Sequence, residues 1–139
     1  MTAASNYLEN KVLDHVLTAT AFTQPSGRWL ALFNNTSGNA AANLEAGTLT
    51  DETSTSGTAY ARKAVTFAAA SSGSSATNAN VTFDAATASW GTITHVAVMD
   101  GSTAGAGNVL FYGAVTTSKT IDTGDTFQIT SGNLTISLA

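Results

Sequence analysis

Few residues in this chain could carry acid–base, nucleophilic or metal chemistry, and their spacing does not assemble a site. His15 and His95 are the only histidines, and a triad or a zinc site would need one of them flanked by ligands or a nucleophile at suitable spacing. His15 stands near Lys11 and Asp14 on a stretch of helical periodicity, which reads as a solvated or interface histidine. His95 lies among β-formers and reads as a hydrogen-bonded structural residue. The acids Asp84, Asp100, Asp122 and Asp125 raise calcium binding, because hard cations take oxygen ligands from loops. The run Asp100-Gly-Ser-Thr-Ala-Gly-Ala-Gly-Asn108 lacks the alternate ligands and terminal Glu of an EF-hand loop. Asp122 and Asp125 fit a turn shaped by side-chain to backbone hydrogen bonds. Gly105-Ala-Gly107 has no third Gly opening a helix, so it is a turn and no nucleotide fingerprint. The chain is therefore expected to be no enzyme and to use no cofactor and no metal.

The aromatics Tyr60, Trp90, Phe111 and Tyr112 admit two readings, a carbohydrate-stacking platform or packing in a core or interface. Packing is favoured, because Val109-Leu-Phe-Tyr-Gly-Ala-Val115 is apolar on both faces of a strand. Val109, Phe111, Gly113 and Val115 alternate with Leu110, Tyr112 and Ala114. A strand of that kind is covered on both sides, here by an opposite sheet and by a helix or a neighbouring subunit.

The elements that must position these residues are mostly β. One helix is expected over residues 6–18, with Leu8, Val12, Leu13, Val16 and Leu17 at helical spacing and Asn6 with Glu9 as a variant capping box. Pro25 blocks its continuation. Strands are expected at Trp29–Phe33, Ala59–Phe67, Ala76–Phe83, Thr92–Met99, Val109–Thr116, Lys119–Ile121, Thr126–Thr130 and Leu134–Leu138, with Gly, Asp, Asn and Ser in the gaps. About eight short strands at this spacing imply a mainly β fold, an antiparallel β-sandwich or jelly roll with one N-terminal α-helix. The stretch from Asn34 to Thr58 is nearly all Asn, Thr, Ser, Gly and Ala, and reads as a long loop, mobile or ordered against a partner.

With 139 residues the chain fits one domain, residues 1–139, with the sandwich over 28–139. Charged residues make up 10% of the sequence, against about 25% in an ordinary protein, so the surface is small, neutral and polar. Such a surface desolvates cheaply and suits packing against other subunits. A net charge of −4 with five scattered basic residues excludes the electrostatic footprint of a nucleic-acid binder. No apolar run approaches the ~20 residues that span a bilayer. The first residues lack a basic segment followed by an apolar run, so synthesis in the cytoplasm without a signal peptide is expected. With no cysteine, neither a disulfide nor a thiolate site is available, and the redox compartment is left open.

Several segments together resemble one family. Ser5-Asn-Tyr-Leu-Glu-Asn10, Leu30-Ala-Leu-Phe33, Tyr60-Ala-Arg62, Ala64-Val-Thr-Phe67, Val81-Thr-Phe83, Ala88-Ser-Trp90-Gly-Thr-Ile-Thr-His95-Val, Leu110-Phe-Tyr-Gly-Ala114 and Gly124-Asp-Thr126 look like the small tailed-bacteriophage virion proteins commonly labelled phage tail fibre protein. The departure is concentrated in Asn34–Thr58. The resemblance implies a β-sandwich that works as a structural protein of the virion. Small phage sandwiches serve as head decoration, tail and fibre proteins alike. The expectation drawn is a capsid decoration (cement) protein, a homo-oligomer whose partner is the major capsid protein, since the chain lacks the repetitive shaft of a fibre. The alternative is a tail-fibre or tail-adaptor component, contacting tail proteins and binding a receptor or glycan. Contact is expected through the helix, with Leu8, Val12 and His15, and through the loop 34–58. Tyr60, Arg62 and Trp90 are expected anchors, because Tyr, Trp and Arg are enriched at binding hot spots.

Overall fold

The computed structural model describes residues 3–138. In chain order the elements are β1 (Ala3–Ala4), α1 (Asn6–Leu17), β2 (Trp29–Phe33), α2 (Ala40–Glu45), β3 (Lys63–Ala64) and β4 (Ser74–Ala76). They continue with β5 (Val81–Thr82), β6 (Gly91–Met99), β7 (Val109–Ile121), β8 (Gln128–Ile129) and β9 (Thr135–Ser137). A five-stranded antiparallel sheet runs in the order β1-β7-β6-β2-β3, and two short ladders, β4 with β9 and β5 with β8, complete the β structure. The fold is mainly β with an N-terminal helix, as the residue pattern implied.

The central strands are apolar all round because the sheet is covered on both faces. On one face Leu30, Leu32, Val96, Val98 and Leu110 meet Val81, Phe83, Phe127, Leu134 and Ile136 from the ladders and their flanks. On the other, Ala31, Phe33, Ala97, Met99 and Val109 meet Leu44 of α2. Each large apolar side chain buried this way contributes about 1.5–3 kcal/mol.

The strands differ from the expected ones where side chains compete with pairing. Ala59–Phe67 pairs over Lys63–Ala64, with an isolated bridge at Phe67, because Ala59 takes a positive φ of 59° and Tyr60 and Arg62 turn inward. Ala76–Phe83 divides between two ladders, while Val109–Thr116 and Lys119–Ile121 form one strand of 13 residues, since no Gly or Pro interrupts Thr117-Ser118. A bulge where Val98 pairs Phe111 but Met99 pairs Val109 leaves Leu110 over. Leu110 and Phe111 consequently both join the first face, with Val115, while Val109 and Tyr112 share the second. Strict alternation along this strand fails at that extra residue.

α1 begins at Asn6, as the residue pattern implied, but Asn6 is not its cap. Ser5 is the N-cap, its Oγ accepting from Leu8 N at 3.3 Å while its own N donates to Leu110 O at 3.0 Å. The Ser5 hydroxyl also donates to Val109 O, so a fully buried serine ties the helix start to β7.

The expected loop 34–58 is an ordered excursion that includes α2. Its backbone is stitched to β2 by Asn34 N to Asp51 O and Thr53 N to Leu32 O, both 3.0 Å. Its many small polar residues converge on Asp51, which is 2% exposed. Asp51 accepts from Ser37 N at 2.9 Å, Ser37 Oγ at 2.5 Å, Thr36 Oγ1 at 3.1 Å and Asn43 Nδ2 at 3.4 Å. Burial works against the Asp51 charge, but these donors outweigh it and hold the carboxyl below its ordinary value. Asp51→Ala is expected to cost about 1.5–3 kcal/mol by urea unfolding at neutral pH, the range for hydrogen bonds to a charged group. Because the folded pKa is lowered, this contribution is present above the unfolded value of about 3.9 and is lost as pH falls through the folded value. The difference between wild type and Asp51→Ala should therefore shrink below about pH 4.

Candidate interaction face

The most polar cluster of the interior lies beside the turn between β6 and β7. Arg62 Nε and Nη2 donate to Glu52 Oε1 and Oε2, both at 2.7 Å, with side-chain exposures of 0% and 4%. Arg62 Nη1 donates to Gly101 O at 2.8 Å and Ala106 O at 2.9 Å, and Gly105 N donates to Glu52 Oε2 at 2.7 Å. Tyr60 Oη accepts from Leu32 N at 3.0 Å and donates to Glu52 Oε1 at 3.1 Å. Burial, and then the Glu52 charge, push the Tyr60 phenol far above its ordinary value. A planar guanidinium suits this bidentate geometry. The group is a brace from β2 and the excursion to the turn, closed to any ligand from solvent.

The turn itself needs the residues it has. Asp100 Oδ1 and Oδ2 accept from Asn108 N and Nδ2 at 2.7 Å, and a Cβ on Gly107, whose φ is +83°, would lie 2.7 Å from Asp100 Oδ1. Asp125 Oδ2 similarly accepts from Asp122 N at 2.9 Å, and Asp84 pairs with Lys63 at 2.7 Å on the surface. These acids shape turns and pair at the surface.

Three of the expected anchors lie inside the protein. Tyr60, Arg62 and Trp90 are 3%, 5% and 4% exposed, so they cannot touch a partner. The rings of Tyr60 and Trp90 meet edge to face at 5.5 Å, Phe83 stacks on Tyr60 at 6.0 Å, and Trp90 Nε1 donates to Thr58 O at 2.8 Å. Residue types enriched at hot spots are also those that fill cores with a polar tip satisfied, and type alone does not separate the two. The platform reading falls with them, since Tyr60 and Trp90 are buried and Phe111 and Tyr112 lie on opposite faces of the strand. Tyr112 donates instead to Glu45 of α2, and burial together with that carboxylate pushes its phenol up to about 12.

The other three candidates lie together on α1. Leu8 is buried against the sheet, Val12 is 42% exposed, and His15 Nδ1 accepts from Phe22 N at 3.1 Å, fixing the chain that leaves the helix. His95 is elsewhere, on β6, with Nδ1 2.9 Å from Thr94 Oγ1 and burial pressing its pKa down, so the neutral ring is favoured. Only Leu8 of α1 is buried. Its outward side carries Val12, Leu13, Val16 and Leu17, and beneath it runs a groove of ≈ 640 Å³ lined by Leu8, Val12, Leu13, Phe22, Leu110 and Leu138 among others. Arg28 and Glu9 also line it. No spacing rule singles out Glu52, whose partners Tyr60, Arg62 and Gly105 lie 8 to 53 positions away.

The protein-family model described as podophage GP4 fiber I protein gp80 matches residues 3–137. The chain belongs to this family. It is thereby a structural protein of a phage virion, as the resemblance implied. Membership spans every element from β1 to β9, so α1, the α2 excursion and the buried brace are all parts of the family unit. No curated protein matches the chain.

Proposed function

We propose that this chain is a component of the phage tail-fibre apparatus that works by contact with other virion proteins and catalyses no reaction. The observation that carries this reading is the match to a fiber protein over residues 3–137. The sequence favoured a cement protein on the head because the chain is short and its surface neutral, but a neutral surface serves a tail contact equally well. A contact role is supported by the exposed apolar side of α1, the kind of surface that marks an association site. A structural role is supported by the two histidines, which stand on separate elements with each Nδ1 already engaged. The partners proposed are tail proteins of the same phage. Electron microscopy of intact particles labelled with a gold-conjugated antibody against this chain should place the label at the tail. Label confined to the head would overturn the fibre reading and restore the cement one.

A further inference from the structure

We infer that the groove between the second half of β7 and the segment carrying β8 and β9 is a binding site for a neutral saccharide, held by hydrogen bonds over an apolar floor. The groove has a volume of ≈ 970 Å³, within the roughly 300–1,000 Å³ of small-molecule sites. It opens where β7 bows away from β6. Ile93 pairs with Lys119 and His95 with Ala114, which leaves residues 115–118 opposite Thr94 alone. Surplus residues of this kind bend a strand and re-aim its side chains. Six polar side chains of the lining, those of Thr116, Thr117, Lys119, Thr126, Thr130 and Asn133, are exposed and make no hydrogen bond or ion pair within the chain. In the α2 excursion, by contrast, Thr36, Ser37 and Asn43 turn in on Asp51. Beneath the six lie Val115, Phe127, Ile129 and Leu134, buried or half-buried.

The chemistry of the lining selects the ligand class. A threonine hydroxyl both donates and accepts, and the Asn133 amide does each through a different atom. A sugar hydroxyl needs both roles from its surroundings, and the C–H faces of its ring suit the apolar floor. Lys119 and Asp125 are the charged residues of the lining, one of each sign, so no field of a single sign draws an ionic ligand. Phe127, the aromatic residue of the lining, is 7% exposed and offers no ring for stacking. Selectivity therefore rests on the hydroxyl pattern of the sugar. A saccharide site here is independent of the proposed contact role, because no residue of α1 lines this groove.

The experiment is a titration of the isotope-labelled full chain, followed by the shifts of its amide resonances. The probes are maltohexaose, cellohexaose, chitohexaose and mannohexaose up to about 10 mM, a range that registers millimolar affinity, with hexagalacturonate as the anionic control. At least one neutral sugar is expected to shift amides of residues 113–121 and 125–137 in a saturable way, and hexagalacturonate is expected to bind no better. Thr117→Val and Asn133→Ala should each weaken that binding about two- to tenfold, the factor that one hydrogen bond of ordinary net strength supplies. Circular dichroism should be unchanged, because both side chains are exposed. The inference is overturned if no neutral sugar binds, if the shifts gather outside those residues, if both variants bind as wild type does, or if hexagalacturonate alone binds.

Discussion

Replacing Arg62 by Ala is expected to cost about 3–5 kcal/mol of folding stability, the range for removing one partner of a buried ion pair. Glu52 would remain in the interior with only Tyr60 Oη and Gly105 N as donors, and the carbonyls of Gly101 and Ala106 would lose Arg62 Nη1. Against the 5–15 kcal/mol by which domains are ordinarily stable, that is roughly a third or more of the total. Urea denaturation of wild type and variant measures it directly. The argument also fixes what a double change should do. Glu52→Leu with Arg62→Met removes both charges together, and a buried pair replaced by apolar residues is often nearly neutral. The double variant should therefore be more stable than Arg62→Ala. If Arg62→Ala unfolds within 0.5 kcal/mol of wild type, the scale of an ordinary surface substitution, the brace carries no such weight.

Trp90→Ala should be of comparable size, about 3–5 kcal/mol, because it empties the centre of the aromatic cluster. Tyr60 and Phe83 both lean on the indole, at 5.5 and 6.1 Å between ring centres, and Phe127 continues the cluster from Phe83 at 5.9 Å. Trp90→Phe keeps most of the ring and loses the bond to Thr58 O, a carbonyl that still accepts from Thr87 N at 3.2 Å. It should cost only about 1–2 kcal/mol, near the net value of one hydrogen bond plus a small void. Equilibrium unfolding followed by circular dichroism separates the two substitutions. An equal loss for both would mean that the hydrogen bond, and not ring volume, is what Trp90 supplies.

Trp29–Phe33, Thr92–Met99 and the first part of Val109–Ile121 were legible because continuous apolar runs bounded by turn residues mark strands covered on both faces. α1 was legible from its period and its start at Asn6 was read from the sequence, while the cap was assigned to Asn6 although Ser5 holds it, both being good caps. α2 was not legible, since Ala40–Glu45 owes its helix to Leu44 seating on the sheet and to the hydrogen bonds around Asp51. Tertiary context decides so short a helix. Of the residues expected to make contact, the exposure of each depended on tertiary partners. Val12 lies exposed on α1, whereas Tyr60, Arg62 and Trp90 were drawn inside by partners 8 to 44 positions away. Periodicity reports one element at a time, and these contacts join segments that lie between elements.

The bond from Ser5 to Val109 joins positions 104 apart in sequence. A ribosome makes residues 5–17 well before their seat on β7. Throughout that interval Leu8 has no sheet to lie on and stays exposed with the apolar residues around it, the kind of surface that draws nascent chains into aggregates. Translation order thus keeps α1 from docking until β7 is made, and a chain stalled before Leu110 would release the helix unattached.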